Sequence, residues 1–442
     1  MPMLKETKRL ADRALSATDG HPAEISNQSA DSALTRFANN EIHQNVAQYD
    51  TTISIRVGVN RRWGIASTND FSDQALEKTA TEALEIAKAI PDSNRYAKLL
   101  PAQPYALVAG YDVDTAEHGP MQRAAAVRTI LDRASSEGLA AAGAYKVEIR
   151  GRTVANSEGL FAHHIGTTAE LMAVAMDDDS SGHARQISSQ VQDINPDVVA
   201  DEAVSKALAG RNPKDLPAAD YEVVLEEFAV SDMLDFLGYA GFGGLSVEEG
   251  RSFMSGKLGT AIAGPNITIW DDPLDHQGIP RPFDAEGMPA HRVDLVKAGV
   301  AVSPVHDRVT AAKVGAESTG HALPPQYPIG PLPTNMFLGP GNTPKKTLIT
   351  STKRGLLINR FWYTRVVHPL TMHMTGTTRD GTFLIEDGEI TSAVRNLRFT
   401  ESYLAALNQV EMISAETKLV RDFFSVNRVP ALKIQSWHFT GS

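Results

Sequence analysis

The pattern of residues changes at Tyr221, and this change limits the possible folds more than any other feature of the chain. Before Tyr221, helical and alternating patterns follow one another. After it, short strands separated by glycine and proline prevail. The residues Tyr221–Leu225 form a short β-prone run, and from Phe228 onward apolar residues recur at roughly helical spacing. We therefore expect a strand that leads directly into a helix at this junction.

The length of 442 residues indicates more than one domain. A chain of this size exceeds what one ordinary hydrophobic core supports, so we expect two or three domains. The predicted fold class is α+β, in which mixed helix and strand N-terminal domains precede a β-rich C-terminal domain. The predicted domains are residues 1–117, 118–215 and 216–442.

Local patterns predict the elements of the two N-terminal domains. The first domain is predicted to contain helices at 4–17 and from Asp70 or Ser72 to 90, strands at 23–36 and 42–63, and a connecting segment at 91–120. The second is predicted to contain helices at 121–136 and 197–210 and strands at 144–150, 152–156, 160–165 and 169–176, with a hairpin turn at 157–159.

The C-terminal domain is predicted to be rich in strands and turns. The predicted elements are strands at 266–270, 356–367 and 429–436, a strand–glycine–strand arrangement at 293–302, a hairpin at 375–390 and a helix at 402–415. The hairpin is the clearest of these elements, because Asp387-Gly388 lies between alternating residues.

Charge and composition exclude several classes of function. A formal net charge of −11, without long basic runs, argues against nucleic-acid binding. Without cysteine the chain has no disulfide, thiol nucleophile or thiolate ligand, so only histidine and carboxylates are left as metal ligands. No apolar segment has the length of a signal-peptide core or a membrane span. We therefore expect a cytoplasmic protein with no membrane contact.

None of the 13 histidines belongs to an HExxH or HExxxH arrangement. His368 and His373 come closest to a pair, but a five-residue offset on one strand places their side chains on opposite faces unless Pro369 bends the chain. His163 and His164 are adjacent and would diverge on a strand. We expect ordinary polar or packed roles for all four histidines.

Other catalytic and ligand-binding patterns are incomplete. Ser318, with His321 three residues later, lacks the first glycine of a nucleophile elbow, so a glycine-containing turn is favoured. The glycine-rich runs at 241–244 and 339–346 lack the spacing of dinucleotide- and phosphate-binding loops, and the acidic loop at 177–182 lacks the spacing of a calcium loop.

Two acidic clusters beside proline and glycine, Asp271/Asp272 and Asp284/Glu286, carry groups that could bind a cation or act as acid and base. Carboxylates in such surroundings more often accept backbone N–H groups in turns, so we interpret both clusters as turn residues.

A series of short motifs follows a characteristic order along nearly the whole chain. The N-terminal motifs are RFANNEIHQN, SIRVGVN, GIASTND and VANSEGLFAHHIGTT. The C-terminal motifs are SFMSGKLG, ITIWDDP, PFDAEG, ESTGHA, TNMFLGPG, KRGLLINRFWYTR, TGTTRDGTFLIEDGEI and VRNLRF. Each motif alone is weak, but their number and order resemble the TldD/PmbA family, which is named for modulators of DNA gyrase and for peptide-maturing metallopeptidases.

The resemblance implies one subunit of a two-subunit metallopeptidase. A TldD-like subunit carries HExxxH on a helix, with a cysteine ligand, whereas a TldE- or PmbA-type subunit has the same fold without the zinc motif. Here the corresponding helix has Glu227 and Asp232 at the histidine positions and Phe228 at the glutamate position. The resemblance therefore implies a TldE/PmbA-type subunit with no metal site or cofactor of its own, and zinc in a TldD-like partner.

The implied partners are a TldD-like HExxxH subunit, or a second copy of this chain, and an unfolded or peptide substrate. No catalytic residue is assigned. Substrate contacts are expected around the position of the missing motif, from Phe228, Ser231, Asp232, Thr319, Gly320, His321, Arg360 and Arg365.

Two other functions stay open at this point. A metal-dependent hydrolase could use Glu227, Asp232 and either His321 or His373 to bind a metal other than zinc. A non-enzymatic regulator could instead bind a protein such as a toxin, an antitoxin or a gyrase subunit. Metal in the purified chain would favour the hydrolase, and co-purification with a protein that lacks HExxxH would favour the regulator.

Overall fold

The computed structural model describes residues 4–92 and 97–441 as two β-sheets with helices packed against them. Mixed helices and strands precede a larger, strand-rich C-terminal sheet, so the predicted α+β class is confirmed. The predicted connecting segment at 91–120 lies partly outside the described residues. No helix in the described ranges is long and apolar enough to cross a membrane.

The N-terminal half forms one antiparallel sheet with the strand order β3-β2-β1-β4-β5-β6. Its strands are β1 (Ala23–Ala38), β2 (Glu41–Val59), β3 (Arg62–Thr68), β4 (Ala140–Asn156), β5 (Phe161–Met176) and β6 (Ser181–Ser188). Its helices are α1 (Leu4–Ser16), α2 (Asp73–Ala89), α3 (Val113–Ala116), α4 (Pro120–Ser136) and α5 (Pro196–Ala209), with a 3-10 turn at Val191–Asp193. The pairing of β1 with β4 joins strands from both predicted N-terminal domains.

The two central strands β4 and β5 are longer than the sequence indicated. The predicted breaks at Gly151 and near Gly166 are wrong, because both glycines lie inside continuous strands. Gly151 pairs with Ser29 on one side and with Ile165 on the other. Ladders on both edges hold the backbone extended, which overrides the weak strand preference of glycine. The predicted turn at 157–159 does connect the two strands.

The helices of the N-terminal half cover one face of this sheet. Helices α1 and α2 pack over Ile25, Ile53 and Ile55, and α4 and α5 pack over the strands on the other side of β1. The opposite face carries the even-numbered residues of β1 and β2. It contacts the C-terminal half, where Phe283 packs against Val154.

The C-terminal half forms an eleven-stranded mixed sheet. Its strands are β7 (Ala219–Leu225), β8 (Ile269–Asp271), β9 (Val293–Lys297), β10 (Val300–Ala301), β11 (Asn335–Leu338), β12 (Arg354–His368), β13 (His373–Glu386), β14 (Glu389–Ala393), β15 (Arg398–Ser402), β16 (Val410–Arg421) and β17 (Val426–Gly441). Its helices are α6 (Glu227–Gly241), α7 (Gly244–Glu248), α8 (Arg308–Val314), α9 (Lys345–Thr350) and α10 (Tyr403–Asn408).

Five of these strands, β7, β12, β13, β15 and β17, pair in a closed ring. A cluster of buried aromatic side chains packs among them. The ring centroid of Phe361 lies 4.5 Å from that of Phe399 and 5.1 Å from that of Trp437, and Tyr403 joins the same group. Because β7 is held between β12 and β17, the point at which α6 begins is rigidly positioned.

The predicted helix at 402–415 is wrong in its second half. Helix α10 ends at Asn408, and residues from Val410 onward form β16, which pairs with β17. The partner strand is adjacent only in the folded chain, so the local pattern could not reveal it. The strand predicted at 266–270 is the shorter β8. The β7–α6 junction and the hairpin of β13 and β14 are confirmed.

Candidate functional site

The site is built around the first turns of α6, directly after β7. Glu226 is the N-cap residue, and its backbone N–H donates to Ile358 O of β12 at 2.9 Å. The apolar residues of α6 pack into the main core of the C-terminal half, so its polar residues are confined to a narrow, largely buried strip. That strip contains the positions implied by the family resemblance.

Glu226 and Glu227 form ion pairs with lysines from other parts of the chain. Lys345 Nζ lies 2.9 Å from Glu226 Oε1 and 2.7 Å from Glu227 Oε2, and Lys206 Nζ lies 2.7 Å from Glu226 Oε2. Burial alone would raise the pKa of Glu226, but the two ammonium groups outweigh burial and lower it. The Glu226 carboxylate is therefore held as an anion between the two lysines.

The ion pairs continue from α5 to β16. Glu202 of α5 binds Lys206 at 2.9 Å and Lys418 of β16 at 2.9 Å. The Lys418 ammonium also lies 4.6 Å from the ring centroid of Phe228. The N-terminal sheet and the C-terminal half are thus connected through the start of α6.

Phe228, predicted as a substrate contact, is buried among neighbouring side chains. It is 6% exposed, and its ring meets the His183 ring edge-on at 4.8 Å between centroids. Burial, together with the nearby Arg360 cation, holds the pKa of His183 well below its usual value. The hydrophobic contact and the neutral imidazole give this position a packing role.

Ser231 and Asp235 lie beside a carboxylate that the sequence did not single out, Asp422. The Ser231 hydroxyl donates to Asp422 Oδ2, and Asp235 accepts from Ser425 Oγ at 2.5 Å and from Phe424 N at 3.1 Å. Burial raises the pKa of Asp422. Burial and the adjacent Asp422 raise the pKa of Asp235 to about 8. This end of the strip therefore holds protons near neutral pH.

Asp232 faces the aromatic cluster. Its Oδ1 atom accepts a hydrogen bond of 2.7 Å from the Tyr403 hydroxyl. Burial raises the pKa of Asp232 to about 7, against the opposing effect of this hydrogen bond. Asp232 is thus a buried carboxyl that can change its protonation near neutral pH.

The predicted arginines of β12 lie beside this strip, with Arg365 exposed and the Arg360 side chain 19% exposed. Arg360 binds the buried Asp380, with Nε 2.6 Å from Oδ2, and its guanidinium lies 5.0 Å from the Trp362 ring centroid. Arg365 stacks on Tyr363 at 4.3 Å. Trp362 is 46% exposed and Tyr363 70% exposed. Both arginines thus adjoin exposed aromatic rings, and we call Arg360, Trp362, Tyr363 and Arg365 the β12 patch.

The predicted turn of Thr319, Gly320 and His321 lies in a different buried cluster. His321 Nε2 is 2.7 Å from Asp271 Oδ2, and both side chains are fully buried. The Thr319 hydroxyl accepts from His306 N at 2.7 Å. In the described parts of the chain, the hydrogen bonds of this turn do not reach α6.

The residues of the alternative metal site lie in separate surroundings. Glu227 binds Lys345, Asp232 binds Tyr403, His321 binds Asp271, and His373 is exposed. Within residues 4–92 and 97–441, no group of three or more metal-ligating side chains is arranged around a common point. The hypothesis of a metal site built from these residues stays a prediction.

The bend that the sequence left open at Pro369 is present. Residues 369–372 connect β12 to β13, and His368 pairs directly with His373. The Thr371 hydroxyl lies 2.9 Å from His368 Nδ1 and 2.8 Å from His373 Nδ1. Both rings thus share one hydroxyl partner.

Ser318 and Asp284, from two other motifs, have structural roles in turns. Ser318 Oγ donates to His306 O at 3.2 Å and accepts from Gly320 N at 3.3 Å, which confirms a turn. Asp284 accepts backbone N–H groups from Glu286 and Met288, so its interpretation as a turn residue is also confirmed.

Profiles of one protein family match three successive parts of the chain. The profiles are described as PmbA/TldA metallopeptidase domain 1, central domain and C-terminal domain, and they match residues 23–87, 117–211 and 218–441. The chain belongs to the PmbA/TldD metallopeptidase family. The sequence resemblance is therefore confirmed.

Individual members of the PmbA/TldD family are distant from this chain. A metalloprotease of Methanothermobacter thermautotrophicus is 29% identical over 208 residues, which is 46% of this chain and 44% of that protein. Metalloprotease PmbA of Escherichia coli O157:H7 is 26% identical over 320 residues, which is 69% of this chain and 70% of that protein. The chain thus aligns with less than half of the first relative and with more than two thirds of the second.

The fold is shared with solved members of the PmbA/TldD family. The crystal structure of TldE from Thermococcus kodakarensis matches with a TM-score of 0.88 at 20% identity, over 98% of this chain and 100% of that chain. At this identity, the likeness establishes the fold and leaves the chemistry to be argued from the side chains.

Sequence reasoning missed the residues that complete the site. Lys206, Lys345, Tyr403 and Asp422 come from four separate segments of this PmbA/TldD family chain. No local pattern marks any of them, since a single buried charge has no spacing rule. These four residues are identified only by their contacts with α6 in the folded chain.

Proposed function

We propose that this chain is the TldE/PmbA-type subunit of a zinc metallopeptidase, and that a TldD-like HExxxH subunit supplies the zinc. The observation that carries the proposal is that the residues at the positions corresponding to HExxxH are paired or buried within this chain. Glu227 is paired with Lys345, Phe228 is buried, and Asp232 is hydrogen-bonded to Tyr403.

These residues do not fit a zinc site. Zinc in proteins is held by histidine, cysteine or carboxylate groups that can converge with one position open for water. Here the Lys345 ammonium lies between the carboxylates of Glu226 and Glu227, where it repels a cation. The role proposed for this chain therefore does not include metal binding.

In the proposed pair, this chain supplies a rigid wall beside the partner's zinc. The ion pairs at the start of α6 fix that wall, because each buried carboxylate has a lysine partner from another element. The β12 patch offers exposed aromatic rings and guanidinium groups, which suit the apolar side chains and carbonyl groups of an unfolded peptide. Contact with the substrate is thus assigned to the exposed residues Trp362, Tyr363 and Arg365.

Reconstitution tests the proposal. This chain and a TldD-like HExxxH subunit from the same genome are purified separately and together, assayed on an unstructured peptide, and analysed for metal and for mass in solution. We expect cleavage by the mixture, a heterodimer, and zinc that stays with the HExxxH subunit. Stoichiometric zinc, iron or manganese in this chain alone, or cleavage by it alone, would contradict the proposal.

A surface variant tests the assigned contact. Tyr363→Ala should raise KM of the reconstituted pair several-fold with little change in kcat, because it removes an exposed contact and leaves the buried strip intact. Tyr111→Ala, which removes a tyrosine 53% exposed in the connecting segment, is the matched control. Equal KM and kcat for the two variants would show that the β12 patch does not contact the substrate.

The regulator hypothesis and the cytoplasmic location stay predictions. Capture of a partner without HExxxH under the same conditions would favour the regulator.

A further inference from the structure

A cavity of about 450 Å³ lies between the N-terminal sheet and the C-terminal half. Its floor is the face of the sheet opposite α1 and α2, and its cover is the segment 279–283 with Gln326. The volume lies in the range of small-molecule sites. The α6 site shares none of these residues.

One row of side chains crosses the floor. The ladder pairs Thr52 with Gln28, Gln28 with Arg152, and Arg152 with His164. Directly paired residues of antiparallel strands point to the same face of a sheet. A hydroxyl, an amide, a guanidinium and an imidazole from four strands therefore face one space.

Two arginines share this space. Arg281 of the cover donates from Nε to Thr334 Oγ1 at 3.1 Å, whereas the Arg152 guanidinium has no hydrogen bond or ion pair with any described residue. Burial and the Arg281 charge lower the pKa of Arg152 to about 10. Two guanidinium groups in a partly desolvated space repel each other.

The nearby carboxylates are already engaged by other groups. Asp284 accepts three backbone N–H groups, and Asp271 accepts from Asn335 N and His321. Asp50, at the exposed rim, is held by the Gln48 side chain at 2.5 Å. Asp284 attracts both arginines electrostatically, but no described carboxylate forms an ion pair or a hydrogen bond with Arg152.

We propose that the cavity binds an oxyanion, the carboxylate or phosphate group of a small molecule, between Arg152 and Arg281. A guanidinium offers two parallel N–H groups that match two oxygens of either group. Gln28 and Thr52 lie beside Arg152 and add hydrogen-bond donors. The proposal goes beyond the subunit role and does not depend on it.

Calorimetric titration of the full chain at fixed ionic strength tests the site. The probes are inorganic phosphate, trialanine with a free carboxylate, and trialanine with a C-terminal amide. Trialanine should bind if the site takes a carboxylate, its amide should not, and phosphate should bind if the site takes a phosphate. Failure of phosphate and trialanine to bind saturably up to about 10 mM would overturn the proposal.

Substitutions test whether Arg152 holds the bound probe. Arg152→Gln should weaken the probe that binds by at least about tenfold, because the bidentate partner is lost. Arg128→Gln, which removes an equal charge from a side chain 72% exposed on α4, should leave binding unchanged. Thr52→Val is a milder second variant if Arg152→Gln does not fold. Unweakened binding in Arg152→Gln, or in Thr52→Val where that variant replaces it, would overturn the proposal.

The binding test is independent of the test of the subunit proposal. Binding is measured on this chain alone, without a partner and without cleavage, so either proposal can fail while the other stands.

Discussion

The Tyr403 hydroxyl donates a 2.7 Å hydrogen bond to Asp232 and so connects α6 to the aromatic cluster of the strand ring. Burial raises the pKa of the Asp232 carboxyl to about 7 and holds the pKa of Tyr403 well above its usual value. The carboxyl therefore titrates near neutral pH, while the phenol stays a donor. This pairing makes the stability of the site depend on pH.

Asp232→Asn should stabilise the protein more at pH 8 than at pH 5. Because its pKa rises from 3.8 to about 7 on folding, the stability that the Asp232 proton provides is full below 3.8 and is lost as the pH rises through about 7. Asparagine does not ionise and still accepts from Tyr403. The gain should grow by on the order of 2 kcal/mol between the two pH values, measured by urea unfolding.

The control for this prediction is Asp178→Asn, in the exposed acidic loop before β6. Its stability should follow that of the wild type at both pH values. If Asp232→Asn also followed the wild type, the buried Asp232 carboxyl would not be the titrating group.

Lys345→Met should destabilise the chain by about 3 kcal/mol, because it leaves Glu227 without its lysine and Glu226 with one lysine instead of two. The neighbouring Lys346 is exposed, so Lys346→Met is a matched control with little expected effect. Adding Glu227→Gln to Lys345→Met should recover part of the loss. Urea unfolding measures all variants, and equal stability of the two lysine variants would refute the proposed burial of the ion pairs.

Gly182→Ala should loosen the contact of α5 with β6. An added Cβ would collide with the Ala203 carbonyl and lie 2.6 Å from Ala207 N, both on the backbone of α5. Backbone atoms cannot rotate away, so we expect a loss of about 2–3 kcal/mol. Faster hydrogen exchange in α5, measured by mass spectrometry, should accompany it.

A second glycine separates this packing effect from backbone strain. Gly138 has a φ of 73° and open space around it, so Gly138→Ala should lose only about 1 kcal/mol and should not change exchange in α5. A smaller loss for Gly182→Ala than for Gly138→Ala would show that α5 adapts to the extra methyl group.

Elements with a strong local pattern were predictable. The β7–α6 junction follows from β-prone residues before an apolar stripe of helical spacing, and the hairpin of β13 and β14 follows from Asp387-Gly388. The second half of the 402–415 helix was not predictable, because β16 is stabilised by its ladder with β17 and not by its own sequence.

The candidate site was only partly predictable. The motif order pointed to residues 227–232 and to Arg360, which lie in one region. It also pointed to His321, which is buried against Asp271 in another cluster. Residues from the motifs of one family need not lie in the same site. A buried histidine such as His321 can be satisfied by a nearby carboxylate instead.

The sequence by itself determined the fold class, the family, and the absence of an HExxxH motif and of cysteine, because these depend on residue identity and local order. The tertiary structure alone decided that Lys206, Lys345, Tyr403 and Asp422 contact the first turns of α6, and that Arg152 and Arg281 line one cavity. The physical reason is that buried charges find their partners through the packing of distant segments. That packing has no signature in the local spacing of residues.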